Sequence, residues 1–221
     1  MVGMRGPEQP LEETIASLRA AGAYRRARDV ALRAVRDVER SGGSGTEAQA
    51  LAMLELGRRH DDLGDYDEAG RAFNDAVEVA QALPDGQGVA ALGLALRAGI
   101  DRTLARLGEA ERAMARAISL AEEKLDADHP WRLEILAEAA MLRIARGDLD
   151  VAAALGSEAL EAAERLQDGV ERDRVLAHAP RPRGLAWWSA DAASSAPRST
   201  ATGVLRLGGR IPFAHGPNRP G

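Results

Sequence analysis

The sequence predicts an all-α protein, an α-solenoid of about four antiparallel helix pairs, and three observations carry that prediction. A glycine–alanine frame recurs four times along the chain, as Gly22 with Ala27, Gly64 with Ala69, Gly108 with Ala113 and Gly147 with Ala152, at glycine spacings of 42, 44 and 39 residues. Recurrence at a fixed period of this size is the mark of a stacked repeat, in which each unit buries its apolar face only against its neighbours. Alanine supplies roughly a fifth of the chain while aromatic residues make up 3 %, a balance suited to helices packed closely enough that small side chains fill the contact. Finally, apolar residues recur at helical offsets and nowhere alternate as a half-buried strand would require.

Each frame has a mechanical reading. Where two antiparallel helices meet at a tight turn, the residue after the first helix takes a left-handed backbone conformation that glycine adopts at least cost. The alanine five residues later lies where the helix axes cross, and a larger side chain would push them beyond about 8–10 Å. In the stretch LGDYDEAGRAFNDA (63–76), Tyr66 starts the second helix, and Phe73 and Ala76 continue its buried stripe beyond Ala69.

Taken in order, the expected pairs are 9–21 with 24–40, 46–63 with 66–83, 88–107 with 110–125, and 130–146 with 149–167. The first pair ends at SGGSG (41–45), a flexible turn, after which Thr46 and Gln49 are placed to form a capping box. PDGQG (84–88) breaks the chain after the second pair. Pro130 suits the first position of a helix, with Asp128 and His129 as candidate caps. The domain organisation read from this pattern is a flexible N-terminus over 1–8, a helical repeat domain over 9–167 and a distinct tail over 168–221.

Charge marks the tail most sharply near Pro180. Residues 1–179 hold 33 acids against 23 Lys and Arg, whereas residues 180–221 hold one acid, Asp191, against six arginines, together with six of the ten prolines. The tail lacks any sustained apolar period and is expected to be disordered. Two other readings of it are a basic arm that touches nucleic acid or an acidic partner, and a stretch translated out of frame.

Chemistry is sparse. The chain has no cysteine, which removes disulfides and thiolate metal sites, and Lys124 is its one lysine. There is no G-x-S-x-G elbow, no S-x-x-K, and no Gly-Lys-Ser/Thr after the SGGSG loop. Neighbouring residues on a helix point about 100° apart, so His60, Asp61 and Asp62 do not converge on one ion without a partner helix. His60 is therefore expected between helices and His129 at a helix cap. No metal, cofactor or enzymatic activity is expected. No apolar run approaches the roughly 20 residues of a membrane span and no secretory h-region is visible, so a cytoplasmic protein is expected.

The frame Leu56-Gly57, His60, Gly64, Tyr66, Ala69, Phe73, Ala76 resembles a tetratricopeptide repeat (TPR). The longer spacing, and Asp128-His129-Pro130 ahead of the last pair, are similar to the long repeats of kinesin light chains and of many bacterial regulators. The resemblance covers about residues 9–167 and implies a right-handed solenoid whose first helices line a concave, partner-binding groove. Carried over frame by frame, the groove positions are Glu12, Ala16 and Arg19; Leu54, Arg58, Asp61 and Asp62; Ala98, Arg102, Ala105 and Arg106; and Glu134, Ala137, Met141 and Ile144. Of these, Arg19, Arg58, Asp61, Asp62, Arg102, Arg106 and Met141 are the candidate contact residues.

Arg58, Arg102 and Arg106 on one wall would favour an acidic peptide or a carboxylate terminus. The alternative is that they pair with Asp61, Asp62 and Asp101 across the repeats. The paired asparagines of kinesin-light-chain repeats and the Lys/Asn pattern of carboxylate-clamp repeats are both absent; LAEAA (136–140) stands where the asparagines would be. The expected function is a non-catalytic scaffold for a peptide or protein partner. The alternative is a detached sensor arm of a larger regulator. Nucleic acid is disfavoured as a partner because the acidic body repels phosphate.

Overall fold

The computed structural model describes residues 10–165. The expectations for the N-terminus and the basic tail lie outside these residues. Eight helices follow in order: α1 (Leu11–Ala20), α2 (Tyr24–Arg40), α3 (Glu47–Leu63), α4 (Tyr66–Gln81), α5 (Gln87–Thr103), α6 (Leu107–Lys124), α7 (Pro130–Arg146) and α8 (Leu149–Arg165). There is no strand among the described residues. Consecutive helices pack on each other, and the first helices also stack in a row, α3 on α5 and α5 on α7. The architecture is the predicted right-handed α-solenoid of four antiparallel pairs.

Four turns close the four pairs, and all four use the same hydrogen bonds. At the second, the N–H of Gly64 donates to the carbonyl of Asp61 and that of Asp65 to the carbonyl of His60, each at 2.9 Å. Gly22 and Ala23 donate likewise to Arg19 and Leu18, and Gly147 and Asp148 to Ile144 and Arg143. These bonds satisfy carbonyls at the helix ends that would otherwise lack donors.

The third turn departs from the expected frame. Its left-handed residue is Ala105, at φ 58°, whose N–H donates to Arg102 while that of Arg106 donates to Asp101. Gly108 sits inside the first turn of α6, and α5 stops at Thr103 rather than running to 107. The turn residues are therefore Gly22, Gly64, Ala105 and Gly147, spaced 42, 41 and 42 apart, so the repeat is more regular than its glycines. Five residues after each turn residue comes an alanine in full contact at the crossing: Ala27, Ala69, Ala110 and Ala152 are all at most 1 % exposed.

The core follows from this register. A continuous apolar cluster joins Leu54 of α3, Phe73 and Ala76 of α4, Leu92 and Ala95 of α5, Met114 of α6, Ile135 and Leu142 of α7 and Leu155 of α8. Phe73 supplies the largest of these side chains, and its ring lies directly over Gly57, where a Cβ would come within 2.5 Å of the ring. A separate small cluster of Ile15, Ala27 and Ala31, with Leu56 packed against it, attaches the first pair.

The caps behave as their chemistry suggests. Thr46 accepts from the Gln49 amide at 3.4 Å, while the Gln49 side chain accepts from Gly45 rather than Thr46, a box shifted by one residue. His129 caps α7 by accepting from the Trp131 amide at 3.2 Å, with Pro130 at the first helical position.

Candidate functional site

The first helices α1, α3, α5 and α7 bring Arg19, Arg58, Asp62, Arg102 and Glu134 of the predicted groove residues into one charged array, whereas Leu54, Ala98 and Ala137, also expected to face the groove, are buried in the core. Arg19 of α1 reaches Asp62 of α3 through Nε and Nη2 at 3.1 and 3.3 Å. One turn away, Arg59 is 1 % exposed and lies between Glu55 and Asp62, its Nε 3.5 and 3.4 Å from their carboxylates. Burial pulls the Arg59 guanidinium below its usual range, and the two carboxylates oppose that pull.

The network then crosses two repeats. Nη2 of Arg58, on α3, donates to both carboxylate oxygens of Glu134, on α7, at 2.6 and 2.7 Å. Arg102 of α5 reaches Glu138, one turn further along α7, at 3.5 Å. Gly99 makes room for that carboxylate, since a Cβ there would stand 2.9 Å from Glu138 Oε2. Burial pushes the Glu138 carboxyl up to about 7; Arg102 pulls it down, while Glu134 and Asp61 push it up further.

Several donors in the array remain unused. The Nε atoms of Arg58, Arg59 and Arg102 are buried without a hydrogen-bond partner. A buried N–H left unpaired costs roughly 1–3 kcal/mol, so such groups mark places where an acceptor would be welcome. Asp61 stands exposed on α3 and Met141 half-buried on α7.

Arg106 falls elsewhere. It is the N-cap residue of α6, its side chain 49 % exposed and 3.8 Å from Asp101, rather than one turn beyond Arg102 on a continuous helix. Asp101 is buried and held by Arg97 through paired contacts of 3.2 Å. Arg106 and Arg97 line a cleft of about 280 Å³ between α4 and α5, with Tyr66, Gly70, Arg71, Ile100 and Leu104. Ala105, another expected groove position, is the turn residue itself.

Sequence reasoning did not single out Glu55, Arg59 or Glu138. Glu138 lies one turn after Glu134, which the repeat frame had placed in the groove, and that offset was the available signal. Arg59 carried none, since nothing local separates a buried arginine from an exposed one. His60 lies half-buried with Nδ1 3.4 Å from Asp65. No three His, Asp or Glu side chains among the described residues gather as metal ligands would. No described helix is long and apolar enough to cross a membrane.

These features define a helical-repeat protein with an ion-pair array along its first helices. No family model matches the chain, and no curated protein matches it. Among solved structures it is similar to one from Podosopora anserina, described as nearly identical TPR-like repeats of a kinesin light chain, with a TM-score of 0.54 at 17 % identity over 78 % of this chain and 85 % of that one. The fold is therefore TPR-like.

Proposed function

We propose that the array is a non-catalytic scaffold whose concave face receives a protein or peptide segment bearing carboxylates. One observation carries the reading: Arg58 and Arg102, on neighbouring first helices, each keep a buried Nε–H without an acceptor beside the glutamates that hold them. A partner carboxylate or backbone carbonyl entering the groove would satisfy these donors and could exchange with Glu134 or Glu138. Asp61 and Met141 form the adjoining wall, and the Arg19–Asp62 pair fixes its first-repeat end. Arg106 joins from the cleft side, where Arg97 and Tyr66 offer a second foothold. TPR-like folds serve protein recognition rather than turnover, and a cytoplasmic setting is part of this proposal.

Site-specific photocrosslinking tests it. A photoreactive residue placed at Met141 should capture a discrete protein segment enriched in Asp and Glu, whereas the same residue at Asp75, on the outer surface of α4, should not. Equal capture from both positions would refute a groove site. The captured segment should bind Arg102→Ala about tenfold more weakly than the parent chain, the loss of one charge-assisted hydrogen bond.

A further inference from the structure

The second helix of the first repeat presents a surface that the groove does not explain. α2 carries Arg25, Arg26, Arg28, Arg33, Arg36 and Arg40 against Asp29, Asp37 and Glu39, although residues 1–179 as a whole are acidic. At about 100° per residue, Arg25, Arg26, Arg33, Arg36 and Arg40 fall within one arc of roughly 100°, and at ~1.5 Å per residue the stripe runs about 22 Å. All five are exposed. The opposite face, through Ala27, Ala31 and Val35, is buried, so the stripe points outward.

Internal pairing partly offsets the acids that interrupt it. Asp29 lies inside the arc, but Arg28 reaches it from the flank at 2.7 Å. Asp37 is taken by Arg40 at 2.6 Å. Arg33 donates its Nε to the backbone carbonyl of Asp29 and engages no carboxylate. Arg25, Arg26 and Arg36 have no ion-pair or hydrogen-bond partner among the described residues. The groove arginines, by contrast, are held by Glu134, Glu138 and Asp62. Among the described residues α2 therefore carries the densest group of uncompensated cations, beside Arg112 and Arg116 of α6.

We propose that the outer face of α2 is a second docking surface, independent of the concave groove, for an acidic helical segment of a protein partner. Carboxylates spaced three and four residues apart on such a helix would meet Arg25, Arg33 and Arg36 in succession and form planar guanidinium–carboxylate pairs. A protein segment is favoured over duplex nucleic acid by the carboxylates on and beside the stripe. Nucleic acid presents about one charge per 1.7 Å of duplex axis and cannot omit one opposite Asp29, Asp37 or Glu39. A peptide helix can place a neutral residue or a lysine there.

The test uses the full chain and three probes: a helical peptide as long as α2 with glutamates on one face in this spacing, its scrambled-order isomer, and a DNA duplex of similar length. The patterned peptide should bind at least about tenfold more tightly than the scrambled one, and more weakly as salt is added. Arg25→Glu with Arg36→Glu should lower that affinity by about tenfold or more, and Arg25→Gln with Arg36→Gln should lower it less. Both double variants should keep the parent's helicity and melting temperature, because these side chains are exposed and make no ion pair or hydrogen bond among the described residues. Arg102→Ala should change the affinity by less than about twofold. The proposal is overturned if the two peptides bind alike, if no probe binds, if DNA outcompetes the patterned peptide, or if Arg102→Ala abolishes binding while the α2 variants retain it.

Discussion

Arg58 of α3 and Glu134 of α7, 76 residues apart in sequence, meet at 2.6 Å and so join the second and fourth repeats directly. Both side chains are 11 % exposed, so neither charge has much water to fall back on. Removing Glu134 should leave Arg58 nearly buried with Glu55, 3.9 Å away, as its remaining carboxylate, which costs on the order of 3 kcal/mol. Glu134→Gln should therefore lower stability by about that amount in denaturant unfolding. Arg58→Met with Glu134→Leu should recover most of it, since apolar replacement of a buried pair is often neutral. Additive single and double variants would show that the pair does not couple.

Stability should also depend on pH through Glu138. Its carboxyl is pushed up to about 7 from the ordinary 4.5 by burial, with Arg102 opposing and Glu134 and Asp61 adding to the rise. A group that binds its proton more tightly when folded contributes stability that is full below its unfolded value and lost as pH climbs through its folded value. The chain should thus lose about 1–3 kcal/mol between pH ~5 and pH ~8 relative to Glu138→Gln, in which this contribution is absent. Parallel melting curves against pH for the two proteins would contradict this.

The third turn offers a test in which the sign alone decides. Ala105 holds a left-handed conformation at φ 58°, which costs a non-glycine residue about 1 kcal/mol. Ala105→Gly should raise the melting temperature. Gly108→Ala should raise it too, because Gly108 is helical and an added Cβ meets only the end of Arg112 at 3.8 Å. A fall in stability for Gly108→Ala would put the left-handed residue back at Gly108.

Close packing at the crossings gives the complementary loss. Gly57→Ala would drive a methyl into the Phe73 ring, and Ala69→Leu would overfill a crossing with no exposed surface. Each should cost about 1–3 kcal/mol in thermal or denaturant unfolding. An unchanged melt for either variant would contradict the helix register.

How far the sequence could be read follows the range of each signal. Helix pairs and the crossing alanines Ala27, Ala69 and Ala152 were legible because they depend on local spacing, and Gly22, Gly64 and Gly147 marked their turns through a conformation glycine adopts easily; in the third pair the crossing alanine is Ala110, not the expected Ala113. The third turn misled because Gly108 offered a cheaper left-handed residue than Ala105, yet the packing of Ala110 set the register. In the groove, the repeat frame found Arg58 and Glu134 separately, but their meeting depends on how α5 lets α3 approach α7. Arg106 was displaced by the same register shift, which turned a helix-face residue into the N-cap of α6.

The central claim is that the first helices carry the partner site. Hydrogen exchange on the full chain, with and without the photocaptured segment, tests it most directly. Slowed exchange should map to α3, α5 and α7 around Arg58, Arg102 and Met141, with α4, α6 and α8 unchanged. Slowing confined to α4, α6 and α8, with the first helices exchanging as in the free chain, would contradict it.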